Sequence, residues 1–237
     1  MLLKRSEINL FLANAIDFFK ANHFSLPPFA SWTCEMWHRR GHEADEIRER
    51  HLGWDVTDFG SGTFPSCGLT LFTLRNGGFG DIGQSRSYAE KIMMVREGQL
   101  TPLHCHNQKT EDIINRGGVA AAGDLVVQVY QSTDDGHLAD IPVTVACDGL
   151  LRQMQPGGII LLRQGESITL PPRVYHSFHA VNGDALVGEV SSINDDAADN
   201  HFYIPLSRFP KIVEDEPPLR LLCNEYPKPD DHPTRET

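Results

Sequence analysis

Hydrophobic residues near the amino terminus recur at intervals of three or four, which is the spacing of one face of an α-helix. They are Ile8, Leu12, Ala15, Ile16 and Phe19. The pattern predicts an amphipathic helix over residues 6–21 with Ser6 as its N-cap, and two shorter helices over residues 33–40 and 43–50. Three tryptophans are expected to pack this helical segment onto the rest of the protein. They are Trp32, Trp37 and Trp54.

From Asp55 onward the helical spacing gives way to short runs of β-branched, aromatic and aliphatic residues, separated by glycine-rich or polar segments. The runs cover residues 56–59, 69–74, 92–95, 100–106, 125–130, 143–146, 159–162, 166–170, 176–180 and 185–190. Many short strands with almost no helical pattern between them are typical of an antiparallel sandwich or barrel. The sequence therefore predicts a mainly β protein with a helical extension at its amino terminus.

These patterns divide the chain into three segments. We expect residues 1–54 to form a helical extension packed on the barrel and residues 55–193 to form the barrel that carries the functional site. Residues 194–237 are expected to pack on the barrel and to end in a mobile, charged tail. The glycine-rich stretch RNGGFGDIG at residues 75–83 precedes no strand-to-helix unit of the kind that binds phosphate, so we interpret it as a loop between strands.

The charge and the cysteine content narrow the classes of partner and compartment. The formal net charge of −11 disfavours nucleic acid and anionic membrane surfaces as partners. No stretch approaches the length of a transmembrane helix. The five cysteines include no C-x-x-C pair and are odd in number, so we expect free thiols in a reducing compartment. We therefore expect a cytoplasmic protein.

One segment, GQLTPLHCHNQKTEDIINRGG at residues 98–118, carries the side chains with the clearest chemistry. On a β-strand the imidazoles of His104 and His106 point to the same side, whereas Cys105 between them faces away. Glu111 follows after a stretch long enough for the chain to bend and return a carboxylate to the two histidines. Two imidazoles and a carboxylate on one face can bind a divalent first-row metal such as Mn²⁺, Fe²⁺, Co²⁺, Ni²⁺ or Zn²⁺.

The spacing of the glycines, histidines and glutamate in this segment resembles the first motif of the cupin superfamily, whose members are double-stranded β-helix (jelly-roll) barrels. The stretch GESITLPPRVYH at residues 165–176 resembles the second motif, which implies His176 as a fourth metal ligand. His179 competes for this role, but the two histidines face opposite sides of a regular strand, and the spacing from the proline favours His176. The second motif departs from the usual pattern at Arg173, where glycine is usual, and at Ala180, where asparagine is usual.

The chain as a whole is similar to bacterial D-lyxose isomerases, which are cupin sugar isomerases. The similar stretches are KRSEIN, LPPFA, LGWDVTDFGSG, LTLFTLRNG, EKIMMVREGQLTPLHCHNQKTEDIINRGG and EDEPPLRLLCNEYP. The resemblance implies interconversion of D-lyxose and D-xylulose, and also of D-mannose and D-fructose, by a homodimer that uses a divalent metal, usually Mn²⁺. It also implies that His104, His106, Glu111 and His176 are the metal ligands.

The same resemblance implies which residues move protons. Glu214, in the acidic cluster at residues 214–216, is expected to be the proton-transfer base, and Lys109 or Lys91 is expected to polarise a sugar oxygen or move a hydroxyl proton. The expected path removes the C2 proton of the open-chain sugar, forms a cis-enediol and returns the proton to C1. Two alternatives stay open: a cupin dioxygenase that uses Fe²⁺ and O₂, and a sugar-binding cupin without catalytic activity.

Overall fold

β-Strands account for most of the regular structure. The computed structural model of the protein describes residues 3–78, 86–195, 198–206 and 211–229. The helices are α1 (Arg5–Ala21), α2 (Cys34–His38) and α3 (Asp45–Glu49), with short 3₁₀ helices at Pro28–Ser31 and His42–Ala44. None of the described helices is long and apolar enough to cross a membrane. The strands are β1 (Leu3–Lys4), β2 (Gly53–Thr57), β3 (Leu69–Arg75), β4 (Tyr88–Val95), β5 (Thr101–His106), β6 (Glu111–Asn115), β7 (Asp124–Gln131), β8 (Val143–Cys147), β9 (Leu150–Met154), β10 (Gly158–Leu162), β11 (Ser167–Leu170), β12 (Val174–Val181), β13 (Ala185–Ser192), β14 (Asn200–Phe202) and β15 (Ile212–Val213).

Two sheets that face each other form the barrel. The larger has eight strands in the order β2-β3-β4-β13-β6-β11-β8-β9, and the smaller has five in the order β10-β7-β12-β5-β14. Their inner faces share one hydrophobic core, to which the larger sheet contributes residues such as Met93 and Ile113 and the smaller sheet Val127 and Phe178. The protein is therefore mainly β with the cupin architecture, and the predicted fold class is confirmed.

Helix α1 covers the outer face of one end of the eight-stranded sheet. Side chains alternate between the two faces of a strand, so Leu71 points into the barrel core and Phe72 into a second core beneath α1. Ile8 and Phe19 of α1 fill that second core together with Trp54. Strands β2, β3 and β4 are buried on both faces over most of their length, which explains the continuous hydrophobic runs in β3 and β4.

Five described strands lie outside the predicted set: β6 and β9 in the eight-stranded sheet, and the short strands β1, β14 and β15. Strand β6, with the sequence EDIIN, begins with two acidic residues, and β9, with the sequence LLRQM, is exposed over most of its length. Neither shows the run of buried apolar residues on which the strand predictions depend. The eight-stranded sheet begins at Gly53, slightly before the expected start of the barrel at residue 55.

The start of α1 differs from the prediction, because Ser6 is not the N-cap. The N-cap is Lys4, whose backbone N–H donates to the carboxylate of Glu7 at 2.9 Å. Ser6 lies in the first turn, where its backbone N–H and its hydroxyl donate to the carboxylate of Asp215 at 2.9 and 2.7 Å. A carboxylate from the C-terminal segment thus satisfies a free N–H of the first turn and complements the positive end of the helix dipole.

The C-terminal segment is tied to the same end of α1. Strand β15 pairs in parallel with β1. The buried guanidinium of Arg5 donates to the carboxylate of Glu214 at 2.8 and 2.6 Å, and to that of Glu225 at 3.2 and 2.5 Å. The hydrogen bond from Arg5 lowers the pKa of the Glu214 carboxyl. The charged tail from residue 230 and most of the glycine-rich loop, residues 79–85, lie outside the described residues.

Replacing Arg5 with methionine is expected to lower the free energy of unfolding by about 3 kcal/mol, because two carboxylates lose their buried cation. The measurement is urea denaturation. Because the folded-state pKa of Glu214 is lowered, the stabilisation by this ion pair is present above the ordinary carboxyl pKa of 4.5 and is lost as the pH falls through the lowered value. The difference in free energy of unfolding between Arg5→Met and the unaltered protein should therefore shrink in acid.

The matched control for this prediction is Glu214→Gln. The Glu214 side chain is 57% exposed, so its replacement is expected to cost less than about 1 kcal/mol. If both variants lost a similar free energy of unfolding, the burial of Arg5 would not be the main source of the stabilisation by this ion-pair cluster.

Candidate metal centre and catalytic site

Three strands of the barrel bring four candidate ligand side chains together. His104 and His106 lie on β5, Glu111 is the first residue of β6, and His176 lies on β12, where it pairs directly with His104. One ligand atom from each residue lies within 4.8 Å of all the others, and all four residues are buried. The cluster can therefore hold a metal ion.

Hydrogen bonds to the backbone orient two of these imidazoles. Nδ1 of His104 lies 2.7 Å from the carbonyl oxygen of Pro102, and Nδ1 of His176 lies 3.1 Å from that of Val174. Each Nδ1–H donates to its carbonyl, which leaves Nε2 with a lone pair directed at the other ligands. Nε2 of His176 lies 2.8 Å from Oε1 of Glu111, and neither atom has a hydrogen-bond partner. Buried lone pairs that converge in this way fit a divalent cation.

The two histidines of β12 lie on opposite faces of the five-stranded sheet. His176 faces the barrel interior and belongs to the ligand cluster. His179 is partly exposed on the outer face and pairs opposite Val126 of β7. The cluster thus contains His176 and not His179.

Arg173 shows how the second motif tolerates a side chain where glycine is usual. Its φ is +66°, in the left-handed region that glycine adopts without strain. Its backbone N–H donates to the carbonyl of His106 at 2.7 Å, and its guanidinium donates to the carbonyl of Thr133 at 2.6 Å. These bonds offset the strain and tie the turn before β12 to the metal-binding strand β5.

The loop between β5 and β6 is held by one carboxylate. Asp199 accepts hydrogen bonds from the backbone N–H groups of Asn107, Gln108 and Lys109 at 3.0, 2.9 and 2.9 Å. Strand β14, which follows Asp199, pairs with β5 and so keeps this carboxylate next to the loop. The Lys109 side chain is directed from this anchored loop into the barrel, where it is buried.

Two lysines and a second carboxylate lie beside the ligand cluster. Nζ of Lys109 lies 2.6 Å from Oε2 of Glu111 and 2.9 Å from Oε1 of Glu189. Nζ of Lys91 lies 3.2 Å from the same Glu189 oxygen. Buried charges need partners, and two positive and two negative groups balance here. Both lysines, both glutamates and two of the histidines line one cavity of about 40 Å³.

The charges of this cluster keep both carboxyls ionised. Burial is the largest single influence on Glu111 and Glu189 and by itself raises their pKa values. The positive groups together outweigh it: Lys109 and the neighbouring histidines hold the pKa of Glu111 well below its usual value. Lys109 and Lys91 lower the pKa of Glu189. Glu111 is thus available as an anionic ligand, and Glu189 as a base.

Burial has the opposite consequence for the histidines, because it disfavours their charged form. It lowers the pKa of His104 well below the ordinary value and also lowers the pKa of His106. Neutral imidazole is the form that binds a metal. The protonation states of His104, His106 and Glu111 therefore match those of metal ligands.

Glu214 is not part of this arrangement. Its carboxylate is bonded to Arg5 at the start of α1, and it is absent from the described lining of the cavity. The carboxylate that the barrel supplies is Glu189 on β13, directly opposite Lys91 of β4. Lys91 in EKIMMV and Glu189 in ALVGEVSS are both charged residues that alternate with apolar neighbours on a strand, a pattern that indicates a side chain directed into the barrel. The signal for Glu189 is therefore present in the sequence.

The fold and the site together define a cupin with a buried candidate metal centre of three histidines and one glutamate, flanked by a lysine–carboxylate cluster. A profile of the family described as D-lyxose isomerase matches residues 3–226. The chain belongs to this family, and by that membership it is an aldose–ketose isomerase.

Two isomerases of known name align with almost the whole chain. The D-lyxose/D-mannose isomerase of Escherichia coli O157:H7 is 48% identical over 227 residues, which make up 94% of this chain and 98% of that protein. A protein of the same name from Serratia proteamaculans is 47% identical over the same shares. The solved structure of ligand-free L-ribose isomerase from Cellulomonas parahominis matches with a TM-score of 0.60 at 14% identity, covering 90% of this chain and 99% of that chain. At this identity the structural likeness supports the fold alone.

Proposed function

We propose that the protein interconverts D-lyxose and D-xylulose, and also D-mannose and D-fructose, by proton transfer between C2 and C1 of the open-chain sugar. The observation that carries this proposal is the lysine–carboxylate cluster, which lines the same buried cavity as three of the four candidate metal ligands, His104, His106 and Glu111. The names of the relatives at 48% and 47% identity support the choice of sugars.

His104, His106, Glu111 and His176 are the proposed ligands of a divalent metal. Mn²⁺ is the proposed ion, with Fe²⁺, Co²⁺, Ni²⁺ and Zn²⁺ as alternatives, because imidazole and carboxylate donors suit all of them. When bound, the ion supplies Lewis-acid polarisation of the sugar carbonyl and hydroxyl oxygens and so acidifies the C–H bond between them. The converging lone pairs of these four side chains support this assignment.

Glu189 is the proposed proton-transfer base in place of Glu214. Its ionised carboxylate accepts the C2 proton, becomes a carboxylic acid and returns the proton to C1 of the cis-enediol, while the hydroxyl proton on O2 passes to O1, so the enzyme ends as it began. Lys109, which lies between Glu111 and Glu189, donates a hydrogen bond to the sugar oxygen on which negative charge develops. Lys91 stays paired with Glu189 and holds its carboxylate in place.

The test of this proposal is metal analysis of the purified protein together with a ketose assay on a panel of pentoses and hexoses. We expect bound divalent metal and formation of D-xylulose from D-lyxose, and the same rate without oxygen. Activity that requires O₂ would favour a cupin dioxygenase, and sugar binding without turnover would favour a non-catalytic cupin. The buried acid–base cluster favours the isomerase over both, because neither alternative needs it.

Running the reaction in D₂O is expected to place solvent deuterium at C1 of D-xylulose, because a proton held on the Glu189 carboxyl can exchange with water before it returns. The measurement is mass spectrometry or proton NMR of the product. Product free of deuterium would favour a hydride shift between the two carbons. The control is a long incubation in which forward and reverse reactions reach equilibrium. Each sugar then turns over many times, so deuterium accumulates in the product even if exchange is rare in a single turnover.

A homodimer in the cytoplasm is also proposed. Leu151 on β9 and Ile159 on β10, which are edge strands of the two sheets, are 79% and 61% exposed, and exposed apolar side chains are typical of a surface that another chain covers. The cytoplasm is supported by the five free cysteines, which suit a reducing compartment. Light scattering in solution checks the first proposal, and cell fractionation checks the second.

A further inference from the structure

One side chain outside the cavity joins the two lysines of the site. Asn194, which follows β13, accepts hydrogen bonds at its Oδ1 from Nζ of Lys91 at 2.9 Å and from Nζ of Lys109 at 3.3 Å. Oε1 of Glu189 accepts from the same two ammonium groups at 3.2 and 2.9 Å. The two lysines therefore share two acceptors, one on a carboxylate and one on an amide.

The position of Asn194 is set by the fold and not by the lysines. Its backbone N–H donates to Oδ1 of Asn76 at 3.0 Å, and its backbone carbonyl accepts from Nδ2 of the same side chain at 2.9 Å. Asn76 is buried just beyond the end of β3. Because one buried amide holds both backbone groups of Asn194, the Oδ1 atom is presented to the lysines from a fixed support.

The site needs such an acceptor because Lys91 and Lys109 repel each other and compete for one oxygen of Glu189. If the amide acceptor is lost, Lys91 and Lys109 lose one of the two acceptors that they share, and both ammonium groups are drawn more strongly onto Oε1 of Glu189, the carboxylate that must accept a proton. With the amide in place, Lys109 stays between Glu111 and Glu189. We propose that Asn194 is a positioning residue for the reaction and that Asn76 supports it. This inference rests on the proposed roles of the two lysines and Glu189.

The test compares Asn194→Leu, which removes the acceptor at similar volume, with Asn194→Asp, which keeps an oxygen at the same place. We expect Asn194→Leu to lower kcat for D-lyxose by about 10- to 100-fold, the range typical of groups that orient the residues of a site. KM should stay within about threefold and Mn²⁺ content should not change, because Asn194 is not itself part of the described cavity lining and its side chain hydrogen-bonds to the two lysines and not to the candidate ligands. Asn194→Asp is expected to recover most of the lost kcat.

Asn22→Leu is the matched control. Asn22 also uses its amide to hold backbone groups, accepting from the N–H of Ala120 and donating to the carbonyl of Phe18, both at 2.8 Å. It lies outside the described lining of the cavity, and its replacement is expected to leave kcat unchanged.

Several outcomes would overturn the inference. They are an unchanged kcat in Asn194→Leu, an equal loss in the aspartate and leucine variants, a rise in KM alone, and a loss of bound metal. Failure of the proposed function is distinguishable, because the unaltered protein would then form no ketose at all.

Discussion

Replacing Glu189 with glutamine is expected to lower kcat for D-lyxose by about 10²- to 10⁴-fold, the usual contribution of a positioned general base. Glutamine keeps the size of the side chain and can still accept a hydrogen bond from Lys91 or Lys109, but it cannot take a proton from carbon. The four candidate metal ligands are untouched, so metal content should stay the same. Steady-state kinetics and metal analysis of the same preparation are the measurements.

Glu214→Gln is the control that separates the two candidate bases. Glu214 is bonded to Arg5 and lies outside the described lining of the cavity, so its replacement is expected to leave kcat within about twofold of the unaltered protein. A large loss of kcat in Glu214→Gln together with full activity in Glu189→Gln would return the role of base to Glu214. A thermal denaturation curve for each variant separates lost chemistry from lost folding.

Replacing His176 with alanine is expected to release the metal and to lower activity by about 10³-fold or more, because Lewis-acid polarisation contributes several kcal/mol to such reactions. His179→Ala is the matched control on the same strand. His179 is partly exposed on the opposite face of β12, so this variant should keep both its metal and its activity. Metal analysis after dialysis, followed by addition of Mn²⁺ during the assay, measures both effects.

Two results would contradict the proposed metal centre. The first is full activity in His176→Ala after exhaustive treatment with a chelator. The second is metal loss in His179→Ala with retention in His176→Ala, which would mean that β12 faces the other way in solution. Partial rescue of His176→Ala by excess Mn²⁺ would agree with a ligand role, because the other three ligands remain.

The ligand cluster was the most predictable part of the site. His104 and His106 alternate on a strand, so their side chains point the same way whatever the rest of the fold does. The resemblance to the cupin motifs supplies Glu111 and His176, which spacing alone cannot place near them. Strand alternation shows that His176 and His179 face opposite sides, and the spacing from the proline of the second motif favours His176, so this choice is visible in the sequence.

The proposed catalytic base was not predictable in the same way. Glu189 lies far along the chain from the segment that carries three of the candidate ligands, and it reaches them only because β13 pairs with both β4 and β6. Glu214 belongs to an acidic run whose burial and partners the sequence does not show. In the structure the carboxylates of this run bind Arg5 and Ser6 at the start of α1. They therefore hold the C-terminal segment against α1 and cap the first turn of the helix.

By itself the sequence determined the mainly β fold, the helical extension and the direction of the two histidines on β5. These depend on local periodicity, which the chain carries residue by residue. Only the tertiary structure decided that Glu189, Lys91 and Lys109 share one buried cluster and that Asn194 joins the two lysines. The physical reason is that pairing between distant strands brings these side chains together, and no spacing along the chain encodes that pairing.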